Sequence, residues 1–290
     1  MRYIFIYILS FWGQTAYGQF STYYGSYNVN NKSQITANIN VSGNVNKTIT
    51  SIDYGSLALA NAENEKTRLQ SLQYSNETEK QRAIEIATNP MKAFDYGYEN
   101  LYQFKKQEAQ SYGFDKLTMY HKTPHNSLFT SVEATQGGYS YRNVSDNNIV
   151  TEIELQGIMN INGLKNGPLK DSLTVWYQLL LDDPEEFAQV NNLKVGTEVR
   201  KNTFLHKKEI KKAKVFGIDG FKTTLVFEDG YELTIEDNYS ASINGIIFLA
   251  TVRYKGEKGE VGFEQLEGRR YYLKKLCDQI IATSKFPVVK

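Results

Sequence analysis

The sequence predicts an α+β fold: an N-terminal strand and helical hairpin, then a mixed, mainly antiparallel sheet domain closed by a C-terminal helix. Three observations carry that expectation. Strand-like segments follow one another in blocks rather than alternating regularly with helices. A helix-forming stretch rich in Ala, Glu, Lys, Gln and Leu precedes them, from Tyr54 to Thr88. An amphipathic stretch from about Gly268 ends the chain, with Tyr272, Leu273, Leu276, Ile280 and Ile281 on one stripe.

Taken in order, the first residues read as an export signal over 1–18. Met1 and Arg2 give a short basic start, Tyr3 to Trp12 is apolar but for Ser10, and Ala16 and Gly18 precede an expected cut before Gln19. The apolar run is shorter than the roughly 20 residues a membrane helix needs, and no later stretch meets that length. No transmembrane span is therefore expected.

The segment 19–53 is polar and Asn-rich. Within it Ile35, Ala37, Ile39, Val41, Gly43 and Val45 alternate with uncharged polar residues, a period of two that makes one strand face apolar. Three readings compete for it. It is an ordinary strand of the sheet, a leader without fixed structure, or a strand that completes a sheet on another protein. In the third reading Ile35, Ile39, Val41 and Val45 would supply specificity and the backbone affinity.

Residues 54–112 read as a helical hairpin or arm. Its first helix has a thin apolar stripe (Leu57, Leu69, Leu72, Ala83, Ile86, Ala87) among many charges. About 30 residues would make a rod roughly 45 Å long. Asn89-Pro90 ends it. A second helix is expected from Met91, with Phe94, Tyr98, Leu101 and Tyr102 at core-facing spacing. Aromatics are dense from Phe94 to Tyr120, where they either pack the hairpin against the domain or, through Tyr96, Tyr98 and Tyr102, stack on sugar.

The α+β domain is placed at 113–290. Strands are expected at 116–121, 127–133, 139–144 and 149–156, and a helix at 169–181. A hairpin over 214–236 is expected to turn through Glu228, Asp229 and Gly230, setting Phe227 against Tyr231 and Leu225 against Leu233. Gly245 to Tyr254 is a buried-type strand, which 260–265 would pair with across a Lys-Gly turn.

Composition narrows the function classes. Lys and Arg number 33 against 32 Asp and Glu, without the basic surplus that nucleic-acid binding requires, and the balance argues against a strongly electrostatic partner. One cysteine excludes a disulfide framework. His121 and His125 stand four apart as metal ligands on a helix do, but Pro124 between them points to a turn. Cys277 lies among Leu273, Ile280 and Ile281, where burial would suppress thiolate formation. Asp182 to Glu186 reads as a helix cap built on Asp183 and Pro184. The five lysines from His206 to Lys214 read as a solvated strand face. Lys207, Lys208, Lys211 and Lys212 could also touch anionic lipid peripherally.

The signal region, a Gln after the expected cut, and abundant Asn, Lys, Tyr and Ile make the chain resemble exported proteins of the Bacteroidota. That resemblance implies export, and because Ser284 to Lys290 resemble neither the terminal aromatic of an outer-membrane barrel nor that phylum's sorting domain, a periplasmic location is expected over the cell surface or secretion. No nucleophile elbow, phosphate-binding loop or zinc-protease signature occurs. No catalytic residue, cofactor or metal is assigned. The expected role is binding to another envelope protein, an accessory or structural task. The alternative is carbohydrate binding or processing in the periplasm through the 94–120 region.

Overall fold

A computed structural model of the chain describes residues 54–129, 131–135, 138–145, 148–182, 197–200 and 203–287. The alternating segment with Ile35, Ile39, Val41 and Val45 lies outside the described residues, as does the expected cap from Asp183 to Glu186. The described part is α+β. A helical hairpin comes first, a mainly antiparallel sheet follows, and a long helix closes the chain.

The stretch read as one long helix is broken into α1 (Tyr54–Ser71) and α2 (Glu77–Thr88). Asn76 makes the break by capping α2, its Oδ1 accepting from the Glu79 N–H at 2.9 Å. Tyr74 folds back so that its hydroxyl donates to the Leu69 carbonyl at 2.7 Å. The thin stripe then closes on itself, because Leu69, Ala83 and Ala87 form one buried cluster.

The second helix is also shorter than its spacing suggested. α3 covers Met91–Asp95, and Tyr98–Gln103 is a strand, β1, running antiparallel to β2 (Thr118–Thr123). Gly97 forces the change. A Cβ there would lie 2.2 Å from the Thr123 carbonyl oxygen, so the chain approaches β2 as only glycine permits. Between the two strands lies the short helix α4 (Lys106–Ser111).

Eight strands form the main sheet. They are β3 (Ser131–Thr135), β4 (Gly138–Val144), β5 (Val150–Asn160), β6 (Thr197–Arg200), β7 (Thr203–Val215), β8 (Ile218–Asp229), β9 (Glu232–Ile243) and β10 (Ile246–Glu257). Their order is β3-β4-β5-β10-β9-β8-β7-β6, so two meanders meet where β10 pairs with β5. Every neighbour is antiparallel.

The β8–β9 turn differs from the expected one. Gly230 and Tyr231 form a two-residue loop, so Phe227 faces Thr234 and Leu225 faces Glu236. Gly230, at φ +60°, takes the first loop position, where type II′ turns place glycine. Matching apolar residues across the turn misled the sequence argument. The register instead follows the buried face, which joins Val226 to Ile235 and Thr224 to Asp237. Residues 260–265 do not pair with β10 as a strand. After a lone bridge between Lys258 and Val261, the C-terminal helix α6 begins at Phe263 and runs to Thr283.

α6 covers one face of the sheet, and all five residues of its expected stripe are buried. α5 (Pro168–Asp182) covers part of the other face, where Leu173 packs on Ile161 and Ile247. Beyond that apolar end the face carries a ladder of alternating charge. Arg253 Nε donates to Glu236 at 2.6 Å and its Nη1 to Glu154 at 2.7 Å, while Lys255 lies 3.4 Å from Glu152.

Two consecutive arginines of α6 bind it to both sides. Arg270 reaches the sheet, where Nε and Nη2 donate to the two Asp237 oxygens at 2.9 Å each. Arg269 reaches the hairpin. Its Nη1 lies 3.5 Å from Glu65 Oε2 and its Nη2 donates to Asn143 on β4, with both charged groups shut off from solvent. Arg68 also holds Glu65, Nε to Oε1 at 3.0 Å.

The pair predicts an asymmetry. Glu65→Gln strands Arg269 as a buried charge and should cost about 3–5 kcal/mol in urea denaturation. Arg269→Met should cost less, because Arg68 still neutralises Glu65.

Candidate functional site: a lysine-lined groove

The lysines from Lys207 to Lys214 fall on a strand, so they divide between the faces of the sheet. Lys207, Glu209 and Lys211 stand opposite Val226, Thr224 and Lys222, on the α6 side. Lys208 and Lys212 stand opposite Leu225 and Phe221, on the other. β7 lies next to the end of the sheet, and α6 packs beside it. A groove of about 470 Å³ remains between them. Lys211 and Lys222 turn their side chains toward it from the sheet, and Lys212 and Lys214 border it from positions on the opposite face. Lys274 and Lys275 line its helix side, and Asp278 is the one carboxylate in the wall.

Its inner end is a hydrogen-bonded cluster drawn from three elements. Lys222 on β8 is only 4% exposed, and its Nζ donates to Asp278 Oδ1 at 3.1 Å. The Tyr239 hydroxyl, from β9, donates to the same oxygen, and Lys274 donates to Oδ2. Burial opposes the charged form of Asp278. Hydrogen bonds from Lys274 and Tyr239, with the Lys222 charge, outweigh it and hold the carboxyl below its usual range. Burial pushes the Lys222 ammonium down, partly offset by Asp237 and Asp278, and pushes the Tyr239 phenol well up.

The outer end is less committed. Lys211 pairs with Glu209 at 2.7 Å and Lys214 with Asp219 at 2.7 Å. Lys212 and Lys275 are exposed and have no ion-pair partner among the described residues. On the α6 side Lys211, Lys222, Lys274 and Lys275 thus meet Asp278 and Glu209, which leaves a surplus of two positive charges in a chain that is almost neutral. The overall balance of 33 to 32 conceals this local concentration. A second hollow of about 480 Å³, beside Phe104 and α4, sets exposed Lys106 and Lys116 with Asp115 and holds no buried polar side chain.

Of the lysines singled out in the sequence, Lys211 lines the groove and Lys212 borders it, whereas Lys207 stands 3.8 Å from Glu209, and burial lowers the pKa of Lys208. Lys222, Tyr239, Lys274 and Asp278 escaped the sequence argument. The only local signal was the opposite charge of Lys274 and Asp278 one helical turn apart.

The three tyrosines of the sugar-stacking alternative have different surroundings. Tyr96 donates to Glu85 on the hairpin, with Arg82 and Lys92 over its ring at 5.6 and 5.9 Å. Tyr98 is 62% exposed at the start of β1. Tyr102 is half-buried, with edge contacts to Phe104 at 5.0 Å and Tyr139 at 5.2 Å. Cys277 is buried beside the Tyr254 hydroxyl, and that burial lifts its thiol to about 12.

His121 and His125 do not face one another along a helix. His121 lies on β2 with its ring 4.1 Å from that of Tyr139, and His125 follows the strand, 3.3 Å from Glu79. No group of three or more metal-ligating side chains occurs among the described residues, and none of their helices is long and apolar enough to cross a membrane.

No protein family, curated protein or solved structure matches the chain.

The His121 environment has a measurable consequence. Burial lowers its pKa from 6.5 to about 4, against a small opposing effect of Glu99. Between those values the unfolded chain takes up a proton that the folded chain refuses, so stability falls as pH falls. The full loss is up to about 3 kcal/mol, and His121→Gln should flatten the pH 6.5 to 5 limb of urea denaturation.

Proposed function

We propose that the protein is an exported binding protein of the cell envelope and that its body holds an anionic partner in the lysine-lined groove. The observation that carries this reading is the surplus of positive charge gathered around a buried, hydrogen-bonded inner wall. Neutrality of the whole chain removes long-range steering. Recognition then depends on contacts made inside the groove, where lysines at the rim meet the ligand and Lys222 fixes the depth.

Beads carrying dextran sulfate or polyglutamate provide the test. The chain should be retained at about 0.01 M salt and released near 1 M, where the screening length has shrunk from roughly 30 to 3 Å. Retention that is absent at low salt, or indifferent to salt, would refute the reading.

A second reading concerns the alternating residues Ile35, Ile39, Val41 and Val45. Their period-two pattern supports strand addition to another envelope protein, which would make the partner a protein bound through 35–45. A pull-down with and without residues 19–46 decides it. Partners should be lost on deletion, and a truncated chain that keeps every partner overturns strand addition. The sugar-stacking alternative through Tyr96, Tyr98 and Tyr102 draws less support, since Tyr96 is tied to Glu85 on the hairpin and Tyr102 is taken up by edge contacts with Phe104 and Tyr139, which leaves Tyr98 as the exposed ring.

A further inference from the structure

We infer that the groove is a site for a phosphate monoester or diphosphate group, carried either on a lipid head group or on a soluble phosphorylated sugar. The inference rests on the anion-binding reading above and narrows it to one ligand chemistry.

Charge is the first argument. A surplus of two positive charges is poorly matched by a single carboxylate or sulfate ester. A phosphate monoester carries between one and a half and two negative charges near neutrality, roughly, and a diphosphate carries more.

Donor geometry is the second. The fork of arginine suits planar carboxylate and phosphate alike, whereas lysine is a point charge that imposes no planar geometry on its ligand. Here every cation in the groove wall is a lysine. The lysines also arrive from different directions: Lys211 from β7, Lys222 from β8, and Lys274 and Lys275 from α6. Converging point donors suit oxygens set tetrahedrally about phosphorus.

The site is built rather than superficial. Lys222, almost fully buried, and Tyr239 already share one oxygen of Asp278, so the inner wall is held before any ligand arrives. Asp278 acts there as an internal counter-ion. Lys275, without an ion-pair partner among the described residues, and the exposed Lys211 are the charges left for the ligand. Met91, Ala213 and Ala282 add an apolar side to the same wall. A volume of about 470 Å³ falls in the usual range for small-ligand sites and admits a sugar or glycerol unit along with the phosphate.

The test uses the full chain and a variant carrying Lys211→Gln and Lys275→Gln. Both positions are exposed, so the unfolding midpoint should not move. Calorimetry with pyrophosphate, glucose 1-phosphate, citrate and sulfate at matched ionic strength should show binding of the first two, weakened roughly tenfold or more in the variant. Co-sedimentation with phosphatidylcholine vesicles, plain or doped with phosphatidic acid, separates the sources. Selective binding to doped vesicles supports a lipid head group, and phosphate binding without vesicle binding supports a soluble ligand. Citrate or sulfate binding as tight as pyrophosphate would overturn the phosphate inference and leave anion binding standing. Absence of binding by any of these anions would overturn both. Phosphate affinity unchanged in the variant would overturn the placement in this groove.

Discussion

The packing of α6 between the sheet and the helical hairpin rests on two neighbouring arginines. Successive residues of a helix point about 100° apart, so Arg269 and Arg270 can each serve a different layer. Arg270 finds Asp237 and Thr224 on the sheet, and Arg269 finds Glu65 on the hairpin and Asn143 on β4. Burying such charges is costly, and mutual attraction recovers that cost only when the geometry is satisfied. The clamp therefore penalises any slip of α6 more sharply than an apolar stripe would. Leu266, Leu273 and Leu276 supply the bulk of the burial, and the arginines fix its register.

The same clamp explains how a hairpin so short of apolar residues can belong to the core. Leu69, Ala83, Ile86 and Ala87 are all fully enclosed, yet they are small in number and size. Glu65 adds a buried ionic contact, and Gly268 removes the side chain that would hold α1 away from α6. A Cβ at Gly268 would stand 3.1 Å from that of Leu57. Close approach and charge thus substitute for a broad hydrophobic face.

Legibility in the sequence follows the range of the interaction. α5, β4 and the stripe of α6 were readable because local periodicity alone defines them. The break between α1 and α2 was also local, signalled by Asn76 with Glu79 three residues on, but a run of helix formers on both sides hid it. Tyr98 to Gln103 was misread because its aromatics fit helical spacing as well as a strand, and only Gly97 pressed on Thr123 decides between them. The site was barely legible. The Glu65–Arg269 contact spans 204 residues, and Lys222 meets Asp278 across 56, distances at which one sequence carries no pairing signal.

Lys222 shows how the fold and the groove become one problem. It occupies an inward position of β8, between Gly220 and Thr224, where an apolar residue would bury more easily. Its charge is tolerable because Asp237 on β9 and Asp278 on the facing helix stand beside it, and Arg270, two turns before Asp278, docks α6 against Asp237. Lys274 and Lys275 are carried to the groove by the same docking. An apolar pair at 222 and 278 would give a drier core at no evident loss of packing. What the ionic version adds is a fixed array of ammonium groups at the edge of the sheet. A concentration of like charge held at such a cost is what the proposed anion binding would require.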